Sequence, residues 1–63
     1  MTKSEKRMWL TNIENAADAV VAEYGSEVAK SVFQRYDAHG IHNLSPCYYS
    51  EVFADLELIA NDN

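Results

Sequence analysis

Trp9, Ile13, Ala16, Val20 and Tyr24 recur at steps of three and four residues, and Leu10, Ala17 and Val21 widen the same face. An α-helix brings such positions to one side, so a stripe of this period predicts a helix packed against a core. Two more stripes follow. Val28, Val32 and Tyr36 form one row with Ala29 and Phe33 beside it, and Tyr49, Val52, Phe53, Leu56, Ile59 and Ala60 form the other. Gly25 and Gly40 stand between the stripes, where glycines that end helices belong. The pattern predicts helices over about 3–24, 27–38 and 46–60, packed as an all-α three-helix bundle. The expected core is Trp9, Ile13, Val20, Tyr24, Val28, Val32, Phe33, Tyr36, Leu44, Tyr49, Phe53, Leu56 and Ile59.

The helix ends carry their own signals. Thr2 or Ser4 suits the first N-cap, Ser26 the second and Ser45 the third. Pro46 then falls at a first helical position, where its missing N–H is no loss. Leu44 and Tyr49 have the spacing of a hydrophobic staple across that start. Lys3, Lys6 and Arg7 sit at the positive end of the first helix dipole, so residues 1–4 are expected to fray, as are 61–63. The short Gly25–Ser26 link makes the first two helices neighbours.

With 63 residues the chain is expected to form a single domain, 1–63, whose core forms without an internal disulfide, because Cys47 is the lone cysteine. Apolar residues at 48% exclude a disordered tail. Ten acids against five bases argue against direct binding to a nucleic-acid backbone, which takes clustered Lys and Arg. The same balance suits a protein partner with a basic surface. No apolar run is long enough to span a membrane, and the basic N-terminal residues are not followed by the apolar stretch of a secretory signal. A cytoplasmic location with Cys47 reduced is the expectation.

Asp37, His39, His42 and Cys47 invite a zinc or Cys–His reading, since thiolate and imidazole are ordinary ligands and nucleophile partners. The spacing matches no zinc finger, and no fourth ligand or oxyanion donor can be named. The expectation is no metal, no cofactor and no enzyme activity, with Ser45 and Pro46 simply starting a helix. A helix-turn-helix reader over "AVVAEYGSEVAKSVFQRY", acting through Lys30 and Arg35, is opposed by the net charge and by Glu27 at its start. The informative charges lie in the last helix, where Glu51, Asp55, Glu57 and Asp62 are acidic and no Lys or Arg occurs from Pro46 onward. Tyr48 falls off the apolar stripe and is the aromatic expected to make contacts. These five residues form the expected interaction surface.

The pieces "YG", "QRY", "LSPCYYSEVF" and "DLELI" resemble small helical proteins carried on integrative and conjugative elements of Gram-positive gut bacteria. The likeness covers about the last two-thirds of the chain. It brings no activity and no functional residue with it. It implies a mobile-element setting, in which small acidic proteins act as accessory or anti-defence factors. The leading expectation is therefore a protein–protein interaction module, self-association included. The alternatives are an inhibitor that presents the acidic face to a DNA-handling protein, and the DNA-binding regulator.

Overall fold

The computed structural model describes residues 1–61, so Asp62 and part of the expected terminal fray lie outside the described residues. Three helices form the bundle: α1 Lys3–Tyr24, α2 Ser26–Gln34 and α3 Tyr49–Ala60. Short 3-10 turns, Ile41–Asn43 and Pro46–Tyr48, fill the link between α2 and α3. No strand occurs among the described residues. The longest dimension, 34 Å, is set by α1, whose 22 residues alone span about 33 Å. Both shorter helices pack on α1, and the α1–α3 interface is the larger.

α1 starts where its cap chemistry dictates. Thr2 Oγ1 accepts from the Glu5 N–H at 3.1 Å, and Glu5 Oε1 accepts from the Thr2 N–H at 3.1 Å. This capping box satisfies two donors at once, and it ties down a turn that Lys3, Lys6 and Arg7 would otherwise loosen. α1 ends at Gly25, whose N–H reaches the Val21 carbonyl at 2.9 Å. Gly25 has φ 93 and ψ 163, a region open almost only to glycine. That conformation lets α2 begin at the next residue. Ser26 is therefore the first residue of α2 and not its cap.

α2 stops earlier than its apolar period suggests, at Gln34 and not near Ala38. Asp37 takes φ 58, its N–H bonds to the Gln34 carbonyl at 3.2 Å, and the Ala38 N–H bonds to the Phe33 carbonyl at 3.1 Å. This is the Schellman arrangement, with aspartate in the place usually held by glycine. It turns the chain so that Ala38 and Phe33 both lie in the core. Gly40, expected to end the helix, is instead extended, with φ 179.

The start of α3 also differs in detail. Ser45 and Pro46 begin a 3-10 turn, and the α-helix proper opens at Tyr49. Leu44 and Tyr49 are both buried in the core cluster, as the staple spacing implies. Ile13, Val20, Val32, Val52 and Leu56 are fully buried at its centre. Trp9, Val28, Tyr36, Phe53 and Ile59 pack around them as a half-buried rim. Trp9 meets Phe53 edge-to-face, with centroids 6.0 Å apart. Tyr24 does not belong to the core: it is 43% exposed, at the last position of α1 where the packed face ends. The core instead takes Val52 and three alanines, Ala16, Ala29 and Ala38, where small side chains let backbones approach.

Candidate interaction site

The outer side of α3 brings together part of the expected surface. Glu51, Asp55 and Leu58 are spaced by four and three residues, which places them in one row along the helix. Tyr48 stands at the head of the row, in the 3-10 turn. Leu58 is 72% exposed and Tyr48 38% exposed. Glu51 lies in the first turn of α3, where the helix dipole favours an acid. Glu57 does not share this row. It follows Asp55 by two residues, about 200° round the helix, and is half-buried. Asp62 lies outside the described residues.

Asp55 is held from the bundle's side. The Tyr36 hydroxyl donates to Asp55 Oδ2 at 2.6 Å, and Arg35 Nη1 lies 3.7 Å from the same oxygen. The bond to the carboxylate, with burial and the negative charges of Asp55 and Glu51 adding to it, raises the Tyr36 phenol above its usual pKa of 10.0, while Arg35 acts the other way. The Tyr36 ring also leans on Tyr48, with centroids 5.1 Å apart and planes tilted by 44°. So Arg35 and Tyr36, from the turn that follows α2, fix the positions of Asp55 and Tyr48. The Arg35 side chain is 57% exposed, so its ion pair is worth at most about 1 kcal/mol. The hydroxyl bond is the stronger tether, because it is short and charge-assisted.

Sequence reasoning missed this tether. Arg35 reads as an outward base, and the separation of nineteen residues from Tyr36 to Asp55 leaves no local spacing to detect. The one usable hint is that a tyrosine at a core edge needs a partner for its hydroxyl.

The histidines and the cysteine are scattered. Asp37 and His39, with Gln34 and Ala38, line an open recess of about 340 Å³ that neither His42 nor Cys47 enters. Cys47 is exposed, and its thiol donates to Ser45 Oγ at 3.7 Å. Among the described residues, no group of three or more His, Cys, Asp or Glu is placed to hold a metal ion. No helix among them is long and apolar enough to cross a membrane.

No protein-family model matches the chain, and comparison with curated proteins and with solved structures gives no match.

Proposed function

We propose that the chain is a small acidic protein–protein interaction module, acting in the cytoplasm, whose docking face is the outer row of α3. The observation that carries this reading is Leu58, 72% exposed in a row with Glu51 and Asp55 on a helix that holds no base. A large apolar side chain in solvent gains from burial in a partner, and the acids beside it steer and select a basic surface. Tyr48 adds a ring already braced by Tyr36, so little ordering is left for docking. The resemblance to mobile-element proteins favours a partner that handles DNA, whose basic surface this row would occupy. Direct DNA reading through Lys30 and Arg35 is the poorer account, because Arg35 shares its charge with Asp55. No catalytic role is proposed.

The test is a tagged pull-down from nuclease-treated Gram-positive lysate, comparing the native chain with E51K/L58S. Asp55 is left intact, since replacing it would also break the tether to Tyr36. A basic protein captured by the native chain and lost with the variant supports the reading. Equal capture by both would reject it.

A further inference from the structure

One face of α1 carries charges in an order that works against the helix itself. Lys3, Arg7, Glu14 and Asp18 lie within about 60° of arc, with Leu10 and Thr11 flanking the middle of the row. All four charged residues are exposed, and none takes part in an ion pair among the described residues. Within α1 they cannot help one another. Lys3 stacks on Arg7 and Glu14 on Asp18 at the i,i+4 spacing, which is repulsive for like charges. Arg7 and Glu14 are seven residues apart, about 10 Å along the axis, too far for contact. The cations also occupy the positive end of the dipole.

We infer that this face pairs with the same face of a second copy, α1 against α1 in antiparallel order. The pairs Lys3 with Asp18 and Arg7 with Glu14 share a common midpoint, which falls between Leu10 and Thr11. A two-fold axis through that midpoint therefore sets each cation against an acid of the other copy at the same time. Such an interface is isologous, and symmetry doubles every pair. Leu10, half-buried in the monomer, meets its counterpart near the axis. Reversed helix order also sets each dipole against its opposite. The inference rests on reading the chain as an interaction module but uses α1 instead of α3, so either can fail without the other.

Sedimentation equilibrium of the full chain tests it. The native chain should dimerise in about 0.02 M salt, with the dissociation constant rising about tenfold or more by about 0.5 M, as screening shortens the reach of exposed charges. K3E/R7E and E14K/D18K should each be monomeric alone, because each makes the face a single sign. An equimolar mixture of the two should dimerise. E51K/L58S should dimerise like the native chain. Circular dichroism checks that the variants stay helical, which is expected since their substitutions lie at exposed positions. A native chain that is monomeric in low salt overturns the inference. So does a mixture of helical variants that fails to associate, or loss of the dimer in E51K/L58S.

Discussion

The two glycines look alike in the sequence and have opposite roles. Gly25 holds φ 93, and a side chain at that position would meet no other atom, so any cost of G25A comes from the backbone alone. G25A is expected to lower stability by about 1–3 kcal/mol in urea unfolding. Gly40 is extended with equally open surroundings, so G40A should raise stability by about 0.4–1 kcal/mol through the unfolded chain. Equal effects at the two sites would contradict this account. Tyr36 supplies a third expectation, from pH. Its folded pKa is raised, so its bond to Asp55 contributes fully below pH 10.0 and is lost as pH rises through the higher folded value. In an absorbance titration, Y36F should remove a late-ionising step that the native chain shows.

At the scale of elements, α1 depends on its first turn more than its base-rich start suggests. The Thr2 backbone N–H bond and then the Thr2 hydroxyl hold the Glu5 carboxyl below its usual 4.5. This contribution is therefore present above pH 4.5 and lost as pH falls through the lower folded value. T2A should return the Glu5 titration toward its usual range in carboxyl NMR and weaken amide protection in the first turn. Both ends of α1 and the end of α3 were legible, whereas α3 proper opens three residues past Pro46, after a 3-10 turn. The end of α2 was not. The apolar period runs on to Tyr36, but Asp37 adopts a left-handed conformation that sequence favours only weakly in aspartate. It is held there because Ala38 is drawn into the core.

The whole molecule has little stability to spare. A single core at this size supplies only about 3–5 kcal/mol. Leu56 is fully buried at its centre, and L56A should cost about 2–5 kcal/mol. Much of the L56A chain should therefore be unfolded at 25 °C, which helicity against temperature would show. L58S, on the exposed side of the same helix, should leave the midpoint nearly unchanged. A steep loss in L58S would mean that Leu58 packs within the monomer and is not a docking residue.

The sequence by itself determined the three helices and the stripes that bind them, since hydrophobic period, the Thr2 cap and Gly25 all act within a few residues. It also located the acidic row's Glu51 and Asp55 and the exposed Tyr48. Local helix geometry already turns Glu57 away from them, and tertiary structure alone decided which acid is restrained. Asp55 is tied by a tyrosine nineteen residues back. Tertiary structure likewise sent Tyr24 outward and drew Ala38 inward. The reason is common to all of these. Burial of small side chains and pairing across helices depend on how closely whole elements approach, and no local pattern carries that distance.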